Sequence, residues 1–365
     1  FLFNNRLYLF LYRTHVKLIG MGIQKAIMAL VLAMKFSITC QSQIIEKNMV
    51  EKVFEYGALA PSSHNAQMWR IVKEKENLYR VEIDSIWRLK AVDPHDREAY
   101  ISIGCFLQNC IYAAPHCGVS MEVSVKDTKA YLTFSKCDEE KKSSEYSLYD
   151  IERRCTCRRN FSNKPIPEDS IQKLFSFFKN VRYIDKRIEE GKILSELIIS
   201  SNSMQLSSEK SMEELSLFIS SNKSDIKRGR GLTLESLGLN GIERFFFRIL
   251  YTKKKFAGNK SFLSSSIRTT KKQVKNCSGF FVLFVQDDTP EGLIKAGMDL
   301  ERFWVKLNTM GISVHPMSQP LEEIPDKIAR MFPNSGVPEM ILRVGYCEDE
   351  HSSQKLRKKI EIYTD

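Results

Sequence analysis

The feature that most constrains the fold is an internal repeat, in which two segments share an apolar and glycine pattern at a constant offset of 193 residues. Each copy has helical apolar spacing with one internal glycine, then a second glycine that ends the helix. Because a glycine inside a helix costs about 1 kcal/mol relative to alanine, we expect close approach of another group to both helices. The repeat predicts two related halves packed as a pseudo-dimer. The paired positions are Ile101 and Ile294, Gly104 and Gly297, Leu107 and Leu300, and Gly118 and Gly311.

The hydrophobic pattern of the chain predicts an α+β fold. The polar stretch 138–147 separates a first half, 43–137, from a second half, 148–365, which has a lid-like insertion near 225–275. Gly279–Val285 is apolar on both faces, as in a central strand covered on both sides. Helices are predicted near 43–58, 97–116, 168–179, 187–204, 209–220, 240–251, 289–310 and 321–331, and strands near 69–72, 78–83, 120–125, 129–135, 279–286, 312–316 and 339–346.

The net charge of +11 is concentrated in two stretches of the chain. Residues 1–40 hold five basic residues and no acid, and residues 248–275 hold nine basic residues and no acid. Because these stretches sum to +14, the rest of the chain carries a charge of −3. A protein-wide surface for a polyanion is not indicated, and no nucleic-acid partner is expected.

The first 42 residues are interpreted separately as a leader, signal or tether. The apolar run 26–34 is too short to span a bilayer, and Cys40 follows it as in a bacterial lipoprotein signal. A lipid tether at Cys40 and a buried or frayed N-terminal helix are the two alternatives.

Two short polar motifs hold residue types that bind organic anions or planar rings. Residues 62–67 pack two hydroxyls, an imidazole and two carboxamides into six positions after a predicted helix. Residues 154–158, Arg-Cys-Thr-Cys-Arg, place two guanidinium groups and a hydroxyl at alternate positions of one face, where they could grip a phosphate. A capped turn and a solvated basic face are the alternative explanations.

Both motifs resemble sites of the nitroreductase superfamily. The loop 61–69 is similar to its flavin-contacting loop, P-S-x-x-N-x-Q-P-W, with Met68 in place of the second proline. The 154–158 motif resembles the family's R-x-S/T-x-R motif for the FMN phosphate, and Arg357 resembles a basic residue that reaches the same phosphate. With the segments 93–98 and 315–322, the motifs are similar in order and spacing to the fused double-domain, Acg-like branch, over about 43–360.

The resemblance implies a three-layer nitroreductase-like fold with one FMN site built from both halves of a single chain. It implies hydride transfer from NAD(P)H to a small-molecule electron acceptor, nitroaromatic or quinone-like, with no catalytic side chain and no metal. Family members are usually homodimers, so this chain is expected to be a monomer or a homodimer. The implied FMN contacts are Arg154, Thr156, Arg158 and Arg357 for the phosphate, Ser62, Ser63, Asn65 and Gln67 from the first-half loop, and Met317, Ser318 and Gln319 near the ring.

Several alternatives stay open beside the oxidoreductase. An FMN storage or sensor protein would use the apolar stretch 242–251 as a lid that blocks turnover. The same stretch, joined to the basic residues 248–275, could form a membrane-surface element. A Ser63, His64 and Asp93 triad is disfavoured because no G-x-S-x-G motif is present. The turn 228–231 is expected to be flexible and basic. We expect a cytoplasmic protein, with a membrane-tethered lipoprotein as the alternative.

Overall fold

The first part of the chain builds a helix, a hairpin, a long central helix and a second hairpin. The computed structural model describes residues 47–137, 144–239, 241, 244, 247, 259–347 and 356–364. The elements of the first part are α1 (Lys47–Gly57), β1 (Trp69–Lys75), β2 (Leu78–Ile83), α2 (Arg97–His116), β3 (Val119–Lys126) and β4 (Lys129–Lys136), with short 3-10 turns at Ser63–Asn65 and Ser85–Trp87.

The second part mixes helices and strands, so the predicted α+β class is confirmed. Its elements are α3 (Leu148–Arg153), α4 (Glu168–Phe177), β5 (Val181–Asp185), α5 (Glu189–Ser207), α6 (Glu209–Phe218), β6 (Ile219–Ser220), α7 (Lys223–Lys227), β7 (Leu232–Thr233), α8 (Lys260–Lys275), β8 (Gly279–Val285), α9 (Pro290–Thr309), β9 (Ser313–Pro316), α10 (Gln319–Glu323), α11 (Pro325–Met331), β10 (Val337–Gly345) and β11 (Ile362–Thr364).

Two larger sheets organise the strands. The first has the order β11-β1-β2-β4-β3, and the second has the order β5-β8-β10-β9. All seven residues of β8 are buried, and the strand lies inside its sheet, as its apolar sequence predicts. Phe280, Val282, Phe284 and Ile341 from β8 and β10 form part of the core beside this sheet. A short parallel pair, β6 and β7, stands apart from both sheets.

The two central helices, α2 and α9, begin and end at residues suited to those positions. The Thr289 hydroxyl caps α9 by accepting a hydrogen bond from the Gly292 backbone nitrogen at 3.3 Å, and Pro290 occupies the first turn. Gly118 after α2 and Gly311 after α9 have φ values of +79° and +71°. Since glycine adopts this left-handed conformation without a steric penalty, both glycines end their helices as the repeat predicts.

The internal glycines let the two central helices approach each other. A Cβ atom placed on Gly104 would lie 2.0 Å from the carbonyl oxygen of Ile294, and one on Gly297 would lie 2.0 Å from the carbonyl oxygen of Ile101. The 193-residue offset maps each contact onto the other. The crossing is therefore reciprocal, like the contacts across a two-fold axis.

The last strand returns to the sheet that the first part of the chain builds. β11 pairs in parallel with β1, with Ile362 opposite Ile71 and Thr364 opposite Lys73. The predicted second half therefore contributes a strand to the first sheet. Sequence analysis missed this strand. A strand of three residues has too little pattern to be recognised without its partner.

One predicted helix is wrong in its extent. Residues 321–331 do not form a single helix, because α10 ends at Glu323 and α11 begins at Pro325. Proline disfavours a helical conformation of the residue before it, and Ile324 has φ −144° and ψ 49°. Sequence analysis did not predict the short elements α3, β5, β6, α7 and β7 or the helix α8.

Some predicted features lie outside the described residues. These are the leader 1–42 with Cys40, and the lid stretch 242–251 except for Arg244 and Phe247. Within the part of the chain that the structure describes, no helix combines the length and the apolar character needed to cross a membrane.

Replacing Gly297 tests the helix crossing. In an open helix, Gly297→Ala would stabilise the chain by about 1 kcal/mol. Here the new Cβ meets a backbone carbonyl of α2, so we expect a net loss of about 1–3 kcal/mol in the free energy of unfolding. Urea unfolding measures the difference. Lys295→Ala, an exposed change in the same helix, is the control and should cost about 0.5 kcal/mol or less. Unchanged or increased stability of Gly297→Ala would contradict the crossing.

Candidate functional site

The loop between α1 and β1 has an uncommon backbone conformation that distant segments hold in place. His64, Asn65 and Gln67 have φ values of 52°, 53° and 53°, in the left-handed region that non-glycine residues rarely adopt. The Asn65 amide nitrogen donates to the Gly231 carbonyl at 2.9 Å, and the Gln67 amide nitrogen donates to the Gly229 carbonyl at 2.7 Å. The surrounding structure therefore fixes a loop that would be strained on its own.

The turn 228–231 is anchored, so the expectation of a flexible turn is wrong. Arg230 is only 7% exposed, and its guanidinium lies 4.3 Å from the centre of the Trp87 ring. The same group donates to the Gln67 carbonyl at 2.7 Å and lies 3.6 Å from the Asp84 carboxylate. These contacts hold the glycine-rich basic segment in place as one wall of the site.

Three arginines converge on a cavity of about 530 Å³, partly open to solvent, which we call the basic cavity. Arg154 is 2% exposed, and its Nε lies 3.1 Å from the Glu301 carboxylate. Arg158 donates to the Ser236 carbonyl at 3.0 Å, and Arg357 donates to the Asn65 side-chain oxygen at 2.9 Å. The lining residues are Pro61, Ser62, Asn65, Arg154, Cys155, Thr156, Arg158, Gly231, Leu232, Thr233, Ser236, Leu356 and Arg357.

The basic cavity has more hydrogen-bond donors than acceptors. Arg154 Nη1 and Arg357 Nε are buried and have no hydrogen-bond partner among the described residues. Burial lowers the pKa of Arg158 to about 10, and burial followed by the charge of Arg154 lowers the pKa of Arg357 to about 9. Because a buried unpaired donor costs about 1–3 kcal/mol, these residues fit an anionic group such as the phosphate of FMN.

A larger cavity of about 1100 Å³, partly open to solvent, adjoins the basic cavity, and we call it the large cavity. Helix α2 contributes Glu98, Ile101, Ser102 and Cys105 to its wall, and α9 contributes Leu300 and Trp304. Apolar walls with a few polar groups are typical of sites for organic ligands. The residues that line both cavities are Pro61, Ser62, Thr156, Arg158 and Leu232.

Most of the residues that the resemblance implied line these cavities. Asn65, Arg154 and Arg357 line the basic cavity, Ser62, Thr156 and Arg158 line both, and Ser63, Ser318 and Gln319 line the large cavity.

Gln67 and Met317 are not among the described residues that line either cavity. Gln67 is fully buried, and its side-chain oxygen accepts from the Lys358 backbone nitrogen at 3.0 Å. Met317 is 3% exposed and belongs to the core cluster of the second sheet. Contact of either with a bound ring is therefore not supported, and both support neighbouring segments.

Sequence analysis missed two acidic residues of the large cavity, Glu98 and Glu322. Each occupies the first turn of a helix, where an acid has the ordinary role of stabilising the helix N-terminus. No local pattern distinguishes that role from a place in a cavity, because the two residues meet only in the folded chain.

The disfavoured Ser-His-Asp triad is not assembled. The Ser63 hydroxyl donates to the Glu98 carboxylate, and the Asp93 carboxylate accepts from the Ala99 backbone nitrogen at 3.0 Å. His64 Nδ1 has no hydrogen-bond partner among the residues that the structure describes. These contacts do not form a Ser-His-Asp relay.

Asp93 provides a test of the buried charges near the site. Burial, followed by the charge of Glu98, raises its pKa to about 7. The unfolded residue, with a pKa near 3.9, ionises first, so the contribution of Asp93 to stability falls as the pH rises from about 4 to 7. Asp93→Asn removes this effect and keeps an oxygen for the Ala99 backbone nitrogen.

We therefore expect the difference in Tm between Asp93→Asn and the parent to grow in favour of the variant from pH 4 to pH 7 and then to level off. Thermal unfolding at several pH values measures this. Asp127→Asn, in the exposed turn between β3 and β4, is the matched control and should give a difference that does not vary with pH. A flat difference for Asp93→Asn would contradict the burial effect.

Comparisons with known proteins include a distant relative and a structural neighbour. No protein-family model matches the chain. The chain is 22% identical over 291 residues to "Probable NAD(P)H nitroreductase PigM" of Serratia sp. (strain ATCC 39006), over 74% of this chain and 79% of the relative. A structural search finds the FMN-dependent nitroreductase NfnB from Mycobacterium smegmatis, solved with NADPH, at a TM-score of 0.34 and 14% identity, over 55% of this chain and 86% of that one. The sequence match supports the resemblance to nitroreductases.

Proposed function

We propose that the chain is an FMN-dependent oxidoreductase that transfers hydride from NAD(P)H to a small organic acceptor, nitroaromatic or quinone-like. The basic cavity carries the proposal, because its arginine N–H groups that have no partner among the described residues adjoin a cavity large enough for a ring system. The relative named a probable NAD(P)H nitroreductase supports it further. When bound, FMN supplies the hydride chemistry, so the protein needs no nucleophile of its own.

The basic cavity would hold the phosphate through Arg154, Arg158 and Arg357, with the Thr156 hydroxyl beside them. Glu301, which is fully buried, is paired with Arg154 and offsets one of the three positive charges. A phosphate dianion matches the remaining charge of +2. It would also offset the burial that lowers the pKa values of Arg158 and Arg357, since charge-assisted hydrogen bonds favour the charged guanidinium.

The large cavity would hold the ring and the acceptor. Ser62 and Ser63 reach it from the first-half loop, and Ser318 and Gln319 reach it from the second half. The side-chain oxygen of Gln319 is buried without a partner among the described residues, so it can accept a hydrogen bond from a planar ring. Asn65 already binds Gly231 and Arg357, so its role in this proposal is to hold Arg357 at the phosphate.

We infer a fused pseudo-dimer with a three-layer nitroreductase-like fold, one FMN per chain and the two halves 43–137 and 148–365. The reciprocal contact of Gly104 and Gly297 supports this arrangement, because two-fold-related subunits make the same kind of contact. The pairing of β11 with β1 supports it too, since the C-terminal segment that carries Arg357 is held against the first sheet. The Arg-Cys-Thr-Cys-Arg motif comes from the second half alone.

A comparison of FMN with riboflavin, which lacks the phosphate, tests the proposal. We expect the flavin-free protein to bind FMN at least about 100-fold more tightly, because the phosphate gains several charge-assisted hydrogen bonds of about 1.5–3 kcal/mol each. Arg158→Met should weaken FMN binding by about 10- to 100-fold and leave riboflavin binding nearly unchanged. Isothermal titration calorimetry measures all four affinities.

Arg153→Met is the matched control, because Arg153 is exposed, lies five residues before Arg158 and does not line either cavity. Arg154 is less suitable for replacement, because its loss would remove the guanidinium group that forms an ion pair with the buried Glu301. Equal affinities for FMN and riboflavin, or parental FMN affinity in Arg158→Met, would contradict the phosphate site.

A further inference from the structure

One end of the large cavity brings together two carboxyl groups from different parts of the fold. Glu98 lies in the first turn of α2 and is 8% exposed, and Glu322 lies in α10 and is half-buried. The Ser63 hydroxyl donates to Glu98, and the Gln205 amide nitrogen donates to Glu322. Glu98 and Glu322 both line this cavity. The two carboxyl groups concentrate negative charge at one end of the cavity.

The positive charge nearby does not balance this pair. Arg97 lies 3.0 Å from the Glu98 carboxylate, but it also lies 3.2 Å from the carboxylate of Glu339. Within the described part of the chain, no lysine or arginine lies at ion-pair distance from Glu322. Burial, the charge of Glu98 and the hydrogen bond to it raise the pKa of Glu322 well above its ordinary value. Arg97 is therefore shared by two carboxylates, and Glu322 has no ion-pair partner among the described residues.

A second, independent observation concerns buried polar atoms on the other sides of the same cavity. His315 is 8% exposed and lines the cavity, and its Nδ1 has no hydrogen-bond partner among the described residues. His64 and Gln319 also line the cavity, and His64 Nδ1 and the side-chain oxygen of Gln319 likewise have no hydrogen-bond partner among the described residues. Burial lowers the pKa of His64 to about 4 and that of His315 well below its usual value. Both rings are therefore neutral at pH 7 and bring no positive charge.

This end of the cavity is thus the electrostatic opposite of the basic cavity. The donors Ser63 and Gln205 are already used by the carboxyl groups, whereas two ring nitrogens and a carboxamide oxygen have no partner among the described residues. A ligand that fits must bring N–H donors and positive charge together. A metal ion fits less well, because no group of three potential ligand side chains is found among the described residues.

We propose that the Glu98 and Glu322 end of the large cavity binds a planar organic cation with several N–H donors, of the amidinium or guanidinium class. The cation would donate to both carboxylates, in the paired geometry that such planar groups form with carboxylates. The His315 ring, which is buried and lines the same cavity, would contact the cation from another side. In the proposed oxidoreductase, the cationic group would be part of the electron acceptor. This last assignment rests on the proposed function, whereas the cation site itself does not.

Binding of benzamidine to the full-length protein tests the proposal. Calorimetry at pH 7.5 should detect benzamidine and should give at least tenfold weaker binding for benzamide, which is nearly isosteric but neutral. Glu322→Gln keeps the shape and the acceptor for Gln205 but removes the charge, so it should weaken benzamidine binding at least tenfold without a fall in Tm. Asp326→Asn removes one exposed negative charge from the next helix and should change the affinity less than twofold.

The outcomes separate this inference from the proposed function. If benzamidine binds no better than benzamide, or if Glu322→Gln binds it as the parent does, the cation site is wrong. FMN affinity, measured on the same preparations, should change less than the benzamidine affinity in Glu322→Gln, because the phosphate of FMN would occupy the basic cavity. A parent protein that binds benzamidine but not FMN would retain the cation site and overturn the flavoenzyme, and the reverse pattern would overturn the cation site alone.

Discussion

The close approach of α2 and α9 at Gly104 and Gly297 is the contact on which the rest of the structure depends. It brings the wall residues of α2, such as Glu98 and Cys105, opposite Leu300 and Trp304 of α9. The same helix α9 carries Glu301, the partner of Arg154. A side chain at either glycine would separate the helices and widen the large cavity, so two residues without side chains determine the spacing of its walls.

A second constraint comes from the C-terminal segment, which returns to the beginning of the described chain. β11 pairs with β1, and Arg357 and Lys358 just before it bind the loop that follows α1. The loop in turn holds the anchored turn that carries Arg230. These segments are distant in sequence, so the basic cavity forms only in the folded chain, where the C-terminal segment pairs with the first sheet. The result is a site with a donor-rich end and an acceptor-rich end.

Sequence analysis predicted the parts of this architecture that have local signals. The central helices, the first hairpin and the buried strand β8 have clear local apolar patterns, and the glycine repeat correctly indicated that both central helices are closely approached. The arginine motif and the polar loop were recognised by resemblance, although Gln67 and Met317 are placed away from the cavities. β11 and the Glu98–Glu322 pair could not be predicted, because a three-residue strand and two helix-terminal acids acquire their roles only through long-range contacts.

Anaerobic reduction tests the central claim most directly. The purified protein with bound FMN is mixed with NADPH or NADH, and its visible absorbance is followed before and after addition of a nitroaromatic compound or a quinone. The proposed oxidoreductase predicts that the flavin absorbance is lost on addition of the nicotinamide and returns with the acceptor. A bound flavin that dithionite reduces but neither nicotinamide reduces would contradict the oxidoreductase and support an FMN storage or sensor protein.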